Sequence, residues 1–460
     1  MDSVLKRALK GIIPTKKEEK DMQKISRKLL IAVGKFADKH NADTILAGSI
    51  TRNTWLKEKK EIDIFVAFPD NLPDKDLATI GLQIGKAAIK SMGGRHIISY
   101  AQHPYVRGFV GKYQVDIVPC YKLDSADKIK SAVDRTPFHV KFIEKNMRSE
   151  QANDVRLLKQ FCKSAGVYGA DLKTEGLSGY MCDLLIIKYG SFSNTIKNIS
   201  NWKAGSVITL QNEVAQKFEN APLVLIDPVD SKRNVAAAVS PKNFEFLVSR
   251  AKNFCKKPSD KFFTIQKRKP MERPEFLKLK KLRGTSVIAV AFKPPKVVSD
   301  ILWPQMRRFV ERMGQMLREN DFKPMNCAGW SDEKNIAIAI FEMEVNNLPN
   351  IKKKVGPSVF AHTNSQNFIE HYAKNPVRKP YVEGVNWVVE TGRKHVNAAY
   401  YMLDVLKQNQ KTLEAVGIPS HIAEYICKGS KIAVDEKIYG LIKNNKEAKT
   451  FIRNFFGYVS

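Results

Sequence analysis

Apolar positions along the chain switch between two periods, and the switches mark out its elements. After Pro14, the stretch TKKEEKDMQKISRKLLIAVGKFADKH sets Met22, Ile25, Leu29, Val33 and Phe36 at helical spacing. Thr15 with Glu18 three residues on reads as a capping box, so an amphipathic helix is expected there. TILAGS and EIDIFVAF alternate as short strands. DKDLATIGLQIGKAAIKSM returns to the helical period and ends near Gly93-Gly94, and HIISYAQ reads as a further strand. In YVRGFVGKYQVDIVPCY two alternating runs meet at Gly111 and Lys112, the tip of a hairpin. The first part of the chain is thus expected to be a mixed α/β domain.

From about residue 146 the pattern turns mostly helical. NDVRLLKQFCKSAG closes on a glycine, and SGYMCDLLIIKYG opens on Ser178 and closes on Gly190. VITL and PLVLIDPV are strand-like, and SPKNFEFLVSRAKNFCKK is a further helix. KRKPMERPEFLKLKKLRG, basic and punctuated by proline, is read as the approach to a third domain, with room for a short helix between the prolines. TSVIAVAFKPP, WPQMRRFVERMGQMLREND, KPMNCAGW and KNIAIAIFEMEV give strand, helix, strand, strand, which suggests a ferredoxin-like or RNA-recognition-like module. The last hundred or so residues read as helices around FIEHYA, HVNAAYYMLDVLKQ, HIAEYI and EAKTFIRNFF, broken by KNPVRKPYVEG. The class is α+β and multidomain, with expected boundaries at 1–145, 146–258 and 259–460.

Length agrees, since 460 residues exceed what one hydrophobic core usually serves. No apolar run reaches the length of a bilayer span, and the first twenty residues lack a signal-type apolar segment, so a cytoplasmic protein without a membrane partner is expected. The six cysteines form no C-x-x-C pair and the eight histidines no metal-type spacing, which favours buried free thiols. Charge changes the picture more. With 77 Lys+Arg against 47 Asp+Glu, the formal net charge is +30, an excess that gathers polyphosphate and makes nucleic acid the leading partner.

The candidate chemistry lies in residues 46–69, LAGSITRNTWLKEKKEIDIFVAFP. Strand alternation sends Ile62, Ile64 and Val66 to the core and puts Glu61 and Asp63 together on the other face. Two acids so placed repel unless a cation lies between them, and magnesium, a hard ion that prefers oxygen ligands, suits the position. Asp116 in YQVDIVPCY is likewise an acid in an apolar strand, and three carboxylates on neighbouring strands are what two-metal phosphoryl transfer requires. Gly48 lets backbone approach a phosphate, Ser49 offers a hydroxyl and an amide, and Arg52 adds charge. Taken alone, the short pattern is more often an exposed edge strand with solvated acids.

The whole arrangement is more specific. An apolar run into Gly-Ser, then Glu-Ile-Asp-Ile, then an acid on a later strand resembles the nucleotidyltransferase superfamily of DNA polymerase β. Within it, GSITRNTWLKEKKEIDIFVAFP, VDIVPCY, DRTPFHVKFI, DVRLLKQFCKSAGVYGAD, GLSGYMCDLLI and DPVDSKRNVAAAVS resemble the archaeal, class I CCA-adding enzymes, the tRNA nucleotidyltransferases. The resemblance implies a polymerase β-like catalytic head, a helical neck that binds nucleotide, an α+β body and a helical tail. It implies that Glu61, Asp63 and Asp116 are the metal-binding and catalytic triad, and that Ser49 and Arg52 hold the triphosphate. It further implies that Thr136 and His139 face the nucleotide, that Lys159 and Tyr168 reach its phosphates, and that Arg233 reads the base, with Asp227 and Asp230 shaping its loop. Read without the family, Lys159 is a solvated helix lysine and Asn234 a turn or cap residue. The implied activity is addition of C, C and A from CTP and ATP to the 3′ end of tRNA, with Mg²⁺ as cofactor. The acceptor and T arms would be read by shape, with IKKKVG and NPVRKPY the basic stretches to inspect. Dimers occur in the family.

Three rivals share parts of this pattern. A poly(A) polymerase or oligoadenylate-synthetase-like enzyme would add only A. An antibiotic-modifying nucleotidyltransferase would need neither the charge nor the long basic carboxyl half. A non-catalytic RNA-binding protein on the same scaffold would tolerate loss of Asp63 and Asp116.

Overall fold

The computed structural model describes residues 1–100, 103–211, 218–266, 268–374 and 376–457. The chain divides into two compact units, Met1–Gln266 and Lys267–Ser460. None of its described helices is long and apolar enough to cross a membrane.

The first unit opens with a helix that the sequence reading left unassigned, α1 (Asp2–Ile12), followed by α2 (Lys16–Ala37). The capping box forms at α2: the Thr15 hydroxyl accepts from the Glu18 amide at 3.2 Å and the Glu18 carboxylate from the Thr15 amide at 2.9 Å. A five-stranded sheet follows, built of β1 (Asp43–Ala47), β2 (Glu61–Phe68), β3 (Arg95–Tyr100), β4 (Pro104–Val110) and β5 (Tyr113–Tyr121) in the order β1-β2-β5-β4-β3. The expected last residues of the third strand, Ala101 and Gln102, lie outside the described residues. β2 and β5 run parallel, and the other pairs are antiparallel. α2 and α3 (Asp74–Ser91) cover one face, where Met22, Leu29, Val33 and Leu77 bury Ile62, Ile64, Val66, Val115 and Ile117.

The other face divides in two along the strands. Phe65, Ala67, Val118 and Cys120 are buried beneath Val140 of α4 (Arg135–Asn146). One pleat earlier, Asp63 stands directly opposite Asp116 in the β2–β5 register. Acids before apolar residues on one face set the limit of that small core.

The rest of this unit holds α5 (Ala152–Ser164), α6 (Gly179–Tyr189), α7 (Phe192–Ser200) and α8 (Pro241–Lys256) around Phe161, Phe192, Phe254 and Phe263. A short sheet, β6 (Ser206–Ile208), β7 (Leu223–Asp227) and β8 (Asp230–Asn234), completes it. β8 was read from the sequence as a loop. Its polar DSKRN has no apolar alternation, and pairing with the buried β7 makes it a strand.

In the second unit the basic, proline-punctuated stretch does contain a helix, α9 (Arg273–Arg283), closed by Gly284 in the left-handed region at φ 64°. Then come β9 (Ser286–Phe292), α10 (Ser299–Glu319), β10 (Lys323–Ser331) and β11 (Ala337–Val345). With β15 (Ser430–Val434) they form an antiparallel sheet ordered β10-β11-β9-β15, the split βαβ arrangement of ferredoxin-like modules. Helix α10 covers one face and α9 the other.

The tail holds α11 (His362–Ala373), α12 (Ala398–Leu406), α13 (Gln410–Ala415), α14 (Ser420–Cys427), α15 (Ile438–Ile442) and α16 (Lys446–Phe455), near the stretches read as helical. It also holds strands that the reading missed: β15, and a second sheet of β12 (Ile351–Ser358), β13 (Arg378–Glu383) and β14 (Asn386–Gly392), ordered β12-β14-β13. IKKKVGPS carries lysines on both faces, so no apolar alternation betrays the strand. KNPVRKPYVEG was read as a break because of its prolines, yet Pro380 sits on the edge strand β13, where a missing amide costs no ladder bond. All six cysteines are free, but the expected burial holds for Cys120, Cys162 and Cys182 alone, since Cys255 and Cys327 are half-buried and Cys427 is exposed.

One buried acid anchors this unit. Glu342 on β11 is fully buried and accepts from Arg283, Thr285 and Asn326, the last at 3.1 Å. Burial would push its carboxyl up, but these hydrogen bonds outweigh it and hold the carboxyl below the ordinary range. A carboxyl lowered in the folded state contributes stability above its unfolded value near 4.5, and that contribution is lost as pH falls through the folded value. Acid unfolding of the second unit below about pH 4.5 should therefore be shallower in Glu342→Gln, starting from lower stability at neutral pH. Parallel acid curves for the two proteins, followed by circular dichroism, would refute this coupling.

Candidate active site

Asp63 and Asp116 hold their places because two hydrophobic strands are in parallel register, not because a loop brings them together. Asp63 is half-buried, and burial pushes its carboxyl up to about 7, with the negative charges of Asp116 and Glu61 adding to the effect. Gly48 lies against it: at φ 79°, a Cβ there would stand 2.1 Å from Asp63 Oδ2. A residue without a side chain is thus required at the turn after β1, both for backbone angle and for space. Both Asp116 oxygens accept from Arg107 on β4, at 2.8 and 2.6 Å. Glu61 is exposed and pairs with Lys59 at 3.1 Å.

Among the described residues, no three acid, histidine or cysteine side chains gather closely enough to hold a metal. Asp63 and Asp116 are brought together, while Glu61 turns to Lys59. The donor set itself, oxygen atoms only, with one carboxyl raised by burial and then by its neighbours' charge, fits a hard divalent cation.

A second cluster lies around the turn that follows β1. Ser49 is half-buried, and its carbonyl accepts from the Thr54 amide at 2.9 Å. Arg52 Nη2 donates to Asp183 Oδ2 at 2.7 Å. Lys159 on α5 is 1% exposed, so it is not a solvated helix lysine. Its ammonium donates to Thr54 Oγ1 at 3.0 Å and lies 3.4 Å from Asp183 Oδ1. One turn earlier on α5, Arg156 donates to the Trp55 carbonyl at 3.0 Å and to Asn53 Oδ1 at 2.6 Å. Two buried cations of one helix therefore grip residues 53–55. Burial pushes the Lys159 ammonium down, and Asp183 opposes it. Tyr168 is half-buried with Lys59 over its ring at 5.6 Å.

The third cluster surrounds Asp227, whose side chain is wholly buried. Arg233 Nη1 donates to its Oδ2 at 2.6 Å, His139 Nε2 lies 2.9 Å from the same oxygen, and the Tyr180 hydroxyl donates to Oδ1 at 3.2 Å. Burial raises the Asp227 carboxyl, but His139 and Arg233 outweigh it and keep it low. Burial lowers the His139 imidazole despite the adjacent acid. Thr136 is half-buried in the first turn of α4. Asp230 accepts from Arg135 at 2.8 Å. Asn234 is neither free turn nor cap: it is buried and accepts from the Leu225 amide at 2.9 Å while donating to the Leu223 carbonyl at 3.0 Å. Arg135, Ser178, Asp230 and Arg233 line a cleft of about 1220 Å³, whereas Ser49, Asp63, Asp116 and Lys159 are not on its walls.

Comparison with known proteins decides what this combination belongs to. The family model described as a nucleotidyltransferase domain matches residues 27–139, that of the tRNA nucleotidyltransferase second domain residues 153–264, and that of the CCA-adding enzyme C-terminal domain residues 283–435. The CCA-adding enzyme of Methanothermobacter thermautotrophicus is 33% identical over 94% of this chain and 93% of its own. Those of Methanosarcina mazei and Methanocaldococcus jannaschii are 37% and 35% identical, over 85% and 92% of this chain and 86% and 94% of theirs. The chain belongs to the CCA-adding enzyme family.

For a CCA-adding enzyme the clusters distribute simply. Ser49, Arg52, Glu61, Asp63, Asp116, Thr136 and His139 fall in the nucleotidyltransferase match, and Lys159, Tyr168 and Arg233 in the second-domain match. Like nucleotidyltransferases generally, it works with divalent metal ions. Several residues of the clusters are not singled out by the sequence, Arg107, Asp183 and Tyr180 among them. Arg107 was within reach, because a hairpin tip at Gly111 and Lys112 puts Arg107 directly opposite Asp116. Asp183 is an acid amid the apolar GYMCDLLIIKY, the signal that flagged Asp116 on a strand. Tyr180 gave no signal, since its partners come from α4 and β7.

Proposed function

We propose that this chain adds C, C and A from CTP and ATP, without a template, to the 3′ end of tRNA, releasing pyrophosphate at each step. The observation that carries it is the in-register pair Asp63 and Asp116 in a chain that matches a CCA-adding enzyme over 94% of its length. Glu61, Asp63 and Asp116 would hold Mg²⁺, which when bound supplies the positive charge that phosphoryl transfer needs at its attacking and leaving oxygens. Asp116, whose two oxygens accept from Arg107, orients the attacking 3′-hydroxyl. Ser49, Arg52, Lys159 and Tyr168 bind the triphosphate, Thr136 and His139 the nucleoside, and Arg233 the base. A guanidinium donates equally to the ring nitrogen and carbonyl of cytosine and to a ring nitrogen of adenine, which suits one residue to both substrates. The net charge of +30 favours reading tRNA through its phosphates.

A tRNA transcript ending at the discriminator base tests the reaction. CTP alone should give two additions, CTP with ATP three, and extension should then stop. A lengthening ladder with ATP alone would replace this reading with a poly(A) polymerase. On the same RNA, affinity should fall at least about a hundredfold between about 50 and 200 mM salt. A flat salt response would mean that the basic excess is not the tRNA-binding surface.

A further inference from the structure

We infer that Asp227 and Tyr180 are positioning residues for base selection, fixing the plane in which Arg233 presents its guanidinium to the cleft. The inference rests on the reading of Arg233 as the base-facing group. Asp227 has no exposed side-chain surface, and each of its oxygens takes two donors. Oδ2 takes Arg233 Nη1 at 2.6 Å and His139 Nε2 at 2.9 Å, and Oδ1 takes the Tyr180 hydroxyl at 3.2 Å and the Val229 amide at 3.1 Å. The donors come from α4, α6, β8 and the turn after β7, so the carboxylate cannot rotate without breaking bonds to several elements at once. Tyr180 also stacks on His139 at 4.0 Å between ring centroids and 24° between planes, which sets the angle from which His139 approaches.

A guanidinium is planar and rigid, so a fixed Nη1 leaves little freedom to the rest of the fork. Arg233 is nevertheless 36% exposed and lines the cleft. Its remaining N–H groups therefore meet a base in a set orientation. The acceptors of cytosine and adenine match that row of donors, whereas uracil and guanine present a ring N–H, which puts donor against donor. Such a mismatch rejects the wrong base only if the arginine cannot swing aside. Selectivity is then a property of the Asp227 anchorage as much as of Arg233.

The test is the ratio of kcat/KM for CTP over UTP in the first addition to a tRNA ending at the discriminator base, measured for Tyr180→Phe, Asp227→Asn and Arg233→Lys. Tyr180→Phe keeps the stack on His139 and loses only the hydroxyl, so it folds as the parent does, checked by thermal unfolding. Its ratio should fall about five- to tenfold, the scale of one lost hydrogen bond, and that of Asp227→Asn further. A residue that merely supported the fold would slow CTP and UTP alike. If Arg233→Lys lowers the ratio while the other two variants leave it unchanged, the positioning role is overturned. If Arg233→Lys itself leaves the ratio unchanged, base reading by Arg233 fails and this inference fails with it.

Discussion

Asp116→Asn lowers nucleotide addition by at least about a thousandfold and leaves tRNA affinity within about twofold of the parent, because it removes charge from the reacting centre and none from the basic surface. Asp63→Asn does the same to turnover but has a second, opposite effect. In the metal-free protein Asp63 is a carboxyl held near Asp116 and Glu61 in a site that disfavours its charge. The neutral isostere relieves that repulsion, so the melting temperature without divalent cations should rise, by about 2–4 °C for each kcal/mol relieved, and added Mg²⁺ should raise it less than in the parent. Loss of activity with a gain in metal-free stability is the signature of a site built around a cation. If Asp63→Asn instead lowers the melting temperature and leaves turnover intact, the acids are structural and the reaction must be sought elsewhere.

Asp183→Asn destabilises the first unit by about 3 kcal/mol, more than any surface charge change would. Lys159 keeps its ammonium in the protein interior against this single buried carboxylate, which Arg52 also uses. Removing the acid leaves a buried cation uncompensated, and breaking a buried pair from one side typically costs about 3–5 kcal/mol. The double variant Lys159→Met with Asp183→Leu should recover only part of the loss, since the buried ammonium is then gone while Arg52 still lacks its carboxylate. Urea unfolding of the three proteins reads this directly. Equal stabilities for parent and Asp183→Asn would mean that water reaches the pair.

What the sequence made legible follows periodicity. Alternation in EIDIFVAF and YQVDIVPCY placed the acids on one face of the sheet, and Thr15 with Glu18 marked a helix start that the structure bears out in both hydrogen bonds. Order along the chain gave three strands of the split βαβ module, but the fourth, SKIAV, is too short and too far along to pair by eye. Where lysines replace apolar residues, as in IKKKVGPS, a strand has no hydrophobic face to announce it, which hides β12, while proline hides β13. Partnership was the least legible property. That Asp227 gathers His139, Tyr180 and Arg233 depends on packing between α4, α6 and β7, and no spacing in the sequence encodes it.

The adjacency of β2 and β5 has a consequence for how this chain tolerates change in length. The backbones carrying the two acids are one interstrand step apart, about 4.8 Å, whatever lies between them in sequence. The crossover through α3, β3 and β4 can therefore gain or lose surface residues and leave the reaction coordinate untouched, provided that the hydrophobic register of the two strands is kept. A one-residue slip within either strand, by contrast, would swap the acids for their apolar neighbours and turn both faces of the sheet inside out.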